Sequence, residues 1–151
     1  SGQEQDWPDY QILRHNGFKI TAATNYQGLF YMLKRGRIAY FPRALTEVLP
    51  EIHAQKNIDL AIAPRWVLYY PAPVYFFVNK QRPELAAAIE KGLLMAIDDG
   101  SMHQLFITHF GESINRMELH KREIIRLENP LLPAETPLDN AALWYDATRG
   151  F

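Results

Sequence analysis

The chain has 151 residues, 48% of them hydrophobic and 22% charged, and its 16 basic against 17 acidic side chains leave a net charge of -1. Such a chain can bury a sizeable core and carries no global field to draw in nucleic acid or an anionic membrane, so nucleic acid is not an expected partner. With no cysteine, disulfides, thiolate metal sites and thiol nucleophiles are excluded, and no apolar run approaches the roughly 18–20 residues that span a bilayer.

The opening residues 1–7 (SGQEQDW) show neither an initiating Met nor a signal peptide and read as a fragment boundary. Pro8 in a first turn and the stop at Asn16-Gly17 predict a short helix over 7–15. A strand is expected at 18–23 (FKITAA). Thr24-Asn25-Tyr26-Gln27 fits a capping box, after which Tyr26, Leu29, Phe30 and Leu33 share one helical face as far as Gly36. Residues 37–41 (RIAYF) predict a strand, and Leu45, Val48, Leu49 and Ile52 predict a helix that Pro50 bends or splits. Residues 59–64 (DLAIAP) read as a third strand. Residues 66–73 lead into a further one at 74–80 (VYFFVNK), rich in aromatic and β-branched residues and bounded by prolines.

Beyond residue 80 the texture becomes helical. Pro83 opens a helix carrying Leu85, Ile89, Leu93 and Ile97 and closed by Gly100; Ser101 and Gln104 open another with Met102, Leu105, Phe106 and Phe110. From Glu128 onward, three prolines in eight residues predict a segment lying extended over the surface to residue 151. Continuous apolar strands alternating with helices predict an α/β fold with a mainly parallel sheet covered on both faces.

Most candidate chemistry reads as ordinary surface. Histidines 15, 53, 103, 109 and 120 include no His-x-x-x-His pair for a metal. Asp98-Asp99 sits beside a stop glycine as a solvated helix end, and Ser101 and Ser113 have no visible base. The aromatic stretch 68–77 lacks the interleaved cations of a base-stacking platform and reads as packed strand. Arg43 stands apart. It follows a predicted buried strand and precedes a helix, where ligands of parallel α/β sheets collect and where a guanidinium can meet a carboxylate or phosphate edge-on. The alternative is a surface pair with Glu47 one turn on, which contributes little; sequence alone leaves both open.

The segments WPDYQILRHNGFKI, TNYQGLFYMLKRGRIAYFPR and YFFVNKQRPELAAAIEKGLLMAIDDGSMHQLFITHFG, in this order, resemble the later part of type 2 periplasmic solute-binding proteins of the polar amino acid group, over residues 1–111. The most specific pieces are the Leu-x-x-Gly-Arg-x-x helix-to-strand step at 33–39 and the helix at 83–100. The resemblance implies a two-lobed fold closing on a small solute: residues 1–72 form the second lobe, 73–127 the returning hinge strand and helices of a first lobe otherwise largely missing from this chain, and 128–151 a Pro-rich tail.

It implies a non-enzymatic protein without cofactor or metal that captures a small polar or anionic, amino-acid-like solute. Its setting would be periplasmic or extracellular, with a signal peptide cleaved or lying outside the sequence. Its partner in the full-length protein would be a membrane ABC transporter permease. The other roles on such a scaffold are the ligand-sensing domain of a membrane receptor, or a dehydratase-type enzyme with Glu47 as the available acid or base. Ala39 stands where many members carry an aspartate for a ligand ammonium. Arg43 would face the cleft with Tyr40 or Phe41 as a wall, Gly2 and Gln3 would offer backbone N–H groups, and Thr24 and Asn25 would line the same side. Helices at 83–110 without their first-lobe sheet would leave apolar surface bare, so a homo-oligomer of this chain is also expected.

Overall fold

Helix α1 (Pro8–His15) follows from its local sequence. Pro8 fills a first-turn position where its missing N–H is no loss, and Gly17 at φ 79° closes the end. There Gly17 N–H donates to Arg14 O and Phe18 N–H to Leu13 O, both at 3.0 Å; this pattern needs a left-handed residue, which glycine adopts without a Cβ clash. The computed structural model in which this is seen describes residues 1–145. Its other helices are α2 (Tyr26–Lys34), α3 (Val48–Ala54), α4 (Pro83–Asp98) and α5 (Ser101–Arg116). Gly36, at φ 66°, ends α2 by the same device, with Gly36 N–H on Leu33 O and Arg37 N–H on Met32 O.

The described residues form a mixed α/β fold with five α-helices and two small parallel sheets. In the first, β1 (Gly2–Glu4) lies beside β2 (Thr21–Ala23), with Gly2 facing Thr21 and Glu4 facing Ala23. In the second, β3 (Trp66–Tyr69) lies beside β4 (Glu123–Arg126), with Trp66 facing Glu123. Because the chain enters α1 and α2 soon after the carboxyl ends of β1 and β2, the two helix starts open at one end of that sheet.

Several sequence expectations need correction. The strand expected at 18–23 shortens to β2 at 21–23. Residues 37–41, 59–64 and 74–80 form no strand, and the single central sheet is replaced by two separate pairs. For 37–41 the apolar pattern marks burial, not a ladder: Ile38 is buried in the core, yet one backbone bond, Gly2 N–H to Tyr40 O at 2.9 Å, ties this segment to β1. Ile62 likewise packs inward from an unladdered segment. β4, at 123–126, was not expected. The helix expected from Leu45 starts at Val48, which puts Pro50 in its first turn, where it neither bends nor splits it. Residues 128–145 are irregular apart from one 3-10 turn at Ala141–Leu143; the remainder of the expected extended tail, 146–151, lies outside the described residues.

Two buried clusters hold the chain. Ala23, Leu29 and Ile38 pack with Trp7, Met32, Leu33 and Phe41; Ile114, Met117 and Leu119 pack with Val48, Leu49, Ile62 and Val67. Ile12, Leu13 and Phe30 are also almost wholly buried, each such side chain contributing about 1.5–3 kcal/mol relative to exposure. The first cluster lies under the helix starts at which the functional candidates gather.

Candidate functional site

Arg43 is the centre of the most elaborate polar arrangement in the described residues. Its Nε donates to Glu51 Oε2 at 2.9 Å and Oε1 at 3.0 Å, and its Nη2 donates to Glu51 Oε1 at 2.6 Å. Glu47 Oε2 lies 2.9 Å from the same Nη2. The Arg43 and Glu51 side chains are 15% and 14% exposed, whereas Glu47 is 51% exposed. Glu47 ends the turn before α3 and Glu51 lies in that helix, so their four-residue spacing sets both carboxylates on the side facing Arg43.

Aromatic rings complete the surround. The Arg43 guanidinium carbon stands 4.7 Å from the Trp7 ring centre and 5.4 Å from that of Tyr26. Trp7 is the N-cap residue of α1 and Tyr26 opens α2, so both helix starts contribute one ring. Tyr26 meets Phe30 edge-on at 5.0 Å, and Phe30 meets Phe41 edge-on at 5.1 Å, anchoring the rings to the core. Partly desolvated cation–π contacts of this kind contribute about 0.5–2 kcal/mol each.

The electrostatics are dominated by mutual neutralisation. Burial would lower the Arg43 pKa, but hydrogen bonding to Glu51 and the charges of Glu51 and Glu47 outweigh it and leave it raised. Tyr26 is pushed up to about 12 by burial, then by hydrogen bonding to Glu51 and that residue's charge. Tyr70, just beyond β3, is raised by burial and by donating its hydroxyl proton to Asp9 in α1. The charge of Arg43 is felt at Tyr70 as well. Nε and Nη2 of Arg43 are engaged, while Nη1 has no hydrogen-bond partner among the described residues.

The other expected site residues are distributed unevenly around this centre. Tyr40 is 48% exposed, and Phe41 packs into the first core cluster. Gly2 spends its N–H on Tyr40 O, and Gln3 is 1% exposed, with no partner for its side-chain Oε1 among the described residues. Asn25 is the N-cap of α2, its Oδ1 accepting from Gly28 N–H at 2.7 Å; this takes the capping position assigned to Thr24, which is exposed. Sequence reasoning did not find Trp7, Tyr26, Glu51, Asp9 or Tyr70. The signal available was Arg43, Glu47 and Glu51 at successive four-residue intervals.

Two surface concavities, of about 620 and 430 Å³, lie elsewhere, along α5 at Ile107, Gly111 and Asn115 and along α4 at Ala87, Glu90 and Leu94. Neither is lined by Arg43. No family model, curated protein or solved structure matches the chain. Among the described residues no helix is long and apolar enough to cross a membrane.

Proposed function

We propose that this chain belongs to a type 2 solute-binding protein that captures a small amino-acid-like solute, in a periplasmic or extracellular setting, for an ABC transporter. In this reading residues 1–72 are one lobe, with Arg43 at its cleft edge, and 73–127 are the returning part of the other. The supporting observation is the state of Arg43: two of its nitrogens are clamped by carboxylates and its plane is walled by Trp7 and Tyr26, while Nη1 has no hydrogen-bond partner among the described residues. A clamped guanidinium loses little further entropy when it takes a guest, which is what preorganised binding requires.

The charge count narrows the guest. Glu47 and Glu51 outnumber the one guanidinium between them, so a simple anion is repelled by the same carboxylates that hold its partner. A zwitterion is suited to both: its carboxylate accepts from Arg43 Nη1, and its ammonium approaches the half-exposed Glu47. Calorimetry and thermal-shift titration of the full-length protein, in which both lobes close the cleft, with free amino acids, dicarboxylates and simple amines test this. Zwitterions are expected to raise the melting temperature, with affinity falling at least tenfold in Glu47→Gln. The reading fails if no member of the three classes binds, or if one binds equally well to wild type, Glu47→Gln and a folded Arg43→Lys variant.

A further inference from the structure

Asn16-Gly17 is the one Asn-Gly pair of the sequence, and the fold uses both residues. Asn16, part-buried, ends α1 and also docks it on the segment that follows β4. Its Nδ2 donates to Ile12 O and to Glu128 O, both at 2.8 Å, and its Oδ1 accepts from Glu128 N–H at 3.0 Å. One side-chain amide thus pairs with both backbone groups of Glu128, as a neighbouring strand would. Beside it, His15 Nε2 lies 3.2 Å from Glu128 Oε2.

Asn-Gly is also the sequence most prone to lose its side-chain amide. The Gly17 backbone nitrogen, once it has given its proton to a base, can attack Asn16 Cγ, because residue 17 has no Cβ to shield it. The Cγ–Nδ2 bond then breaks, ammonia leaves with a proton taken from water, and a cyclic imide remains. Water opens the imide at Cγ to give aspartate, or at the main-chain carbonyl carbon to give isoaspartate, in which the backbone runs through Cγ. Water is consumed, ammonia is released, and nothing is oxidised or reduced.

We propose that Asn16 is a one-way deamidation switch on the closure of α1 against residues 127–129, held unreacted by that closure and unable to re-form it once converted. The inference stands on different residues from the solute site. The folded chain restrains both reactants. Nδ2 is fixed between two carbonyl oxygens, and Gly17 N–H donates to Arg14 O at 3.0 Å, which opposes its deprotonation. Gly17 is nevertheless exposed, with nothing within 4 Å of the place a Cβ would take, so base reaches the nitrogen once the turn opens. Reaction therefore runs through the open state, at a rate scaled by its population.

The product fits badly. Aspartate puts an oxygen where Nδ2 stood, against the carbonyl oxygens of Ile12 and Glu128, and adds a negative charge at the negative end of the α1 dipole, beside the Glu128 carboxylate. The cations of that turn are already engaged, Arg14 over the Tyr10 ring and His15 on Glu128. Isoaspartate lengthens the backbone between Asn16 Cα and Gly17 N, so Gly17 N–H and Phe18 N–H no longer fall on Arg14 O and Leu13 O. The adjacent Asn129 offers no such chemistry, since Pro130 has no N–H.

Peptide mapping by mass spectrometry of the whole chain, held at mildly alkaline pH with and without concentrated urea, tests the restraint. In urea Asn16 is expected to convert at least tenfold faster than any other asparagine, and in the folded chain at least tenfold slower than in urea. Amide hydrogen exchange tests the switch. Glu128 N–H is expected to exchange at least tenfold faster in Asn16→Asp than in wild type, with exchange at Ile114 in α5 unchanged, which separates a lost closure from general unfolding. If Asn16→Asp does not fold, deamidated wild type separated by charge gives the same reading. No conversion of Asn16 in urea, equal conversion with and without urea, or wild-type exchange at Glu128 in the converted chain each overturns the proposal. None of these outcomes bears on solute binding, which is read from Glu47→Gln.

Discussion

Arg43 and Glu51 meet side-on, with Nε and Nη2 of the guanidinium both on the carboxylate and the two side chains about equally shielded, at 15% and 14% exposure. The pair joins the segment after Tyr40 to α3, and the Trp7 and Tyr26 rings tie it to α1 and α2.

Removing one member strands the other. Arg43→Ala leaves the Glu51 carboxylate shielded and unpaired and is expected to destabilise the chain by about 3–5 kcal/mol. Arg43→Lys recovers part of this, since an ammonium cannot reproduce the two-nitrogen contact or the stacking. Urea unfolding followed by tryptophan fluorescence measures both. Equal stability of wild type and Arg43→Ala would show that the cluster contributes nothing to the fold.

Alkali should loosen the same cluster through Tyr26. Its folded pKa is raised from 10.0 to about 12, so the neutral phenol is favoured in the folded state. The stability this contributes is fully present below about pH 10 and is lost as pH rises towards 12. Stability measured across this window is expected to fall less steeply in Tyr26→Phe than in wild type. Superimposable profiles for the two proteins would contradict the assignment.

Gly2 is required by space. A Cβ there meets the Ile38 Cδ1 methyl group and lies 3.0 Å from Leu29 Cδ2, so Gly2→Ala is expected to cost about 1–3 kcal/mol by overpacking. Adding Ile38→Val removes the nearest obstruction and should recover part of the loss, giving a non-additive double-mutant cycle in denaturant titrations. Strictly additive effects would rule out the contact.

The helices were legible because their signals are local. Pro8 and Pro83 at first turns and Gly17, Gly36 and Gly100 at closing positions mark ends that the structure keeps. Strands were less legible because a strand exists only with a neighbour. Residues 37–41, 59–64 and 74–80 have the composition of strands without a ladder, while 123–126, a short polar-flanked segment, gained one from β3. For the site, Arg43 was visible as a charge after an apolar run, and Glu47 as its four-residue neighbour. Trp7, Tyr26 and the Tyr70–Asp9 bond reach it only through tertiary packing, which no spacing rule along the chain encodes.

The β3–β4 pair sets a timetable for synthesis. Trp66 emerges from the ribosome 57 residues before the Glu123 that faces it, an interval of several seconds at about 5–20 residues per second. Throughout that interval the nascent chain carries an unmated Trp66-Val67-Leu68-Tyr69 edge, while the α4–α5 hairpin can already form behind it. Chaperone capture during translation should therefore peak on chains stopped between these two segments, and a stop just before residue 123 should yield a product that is degraded rather than folded.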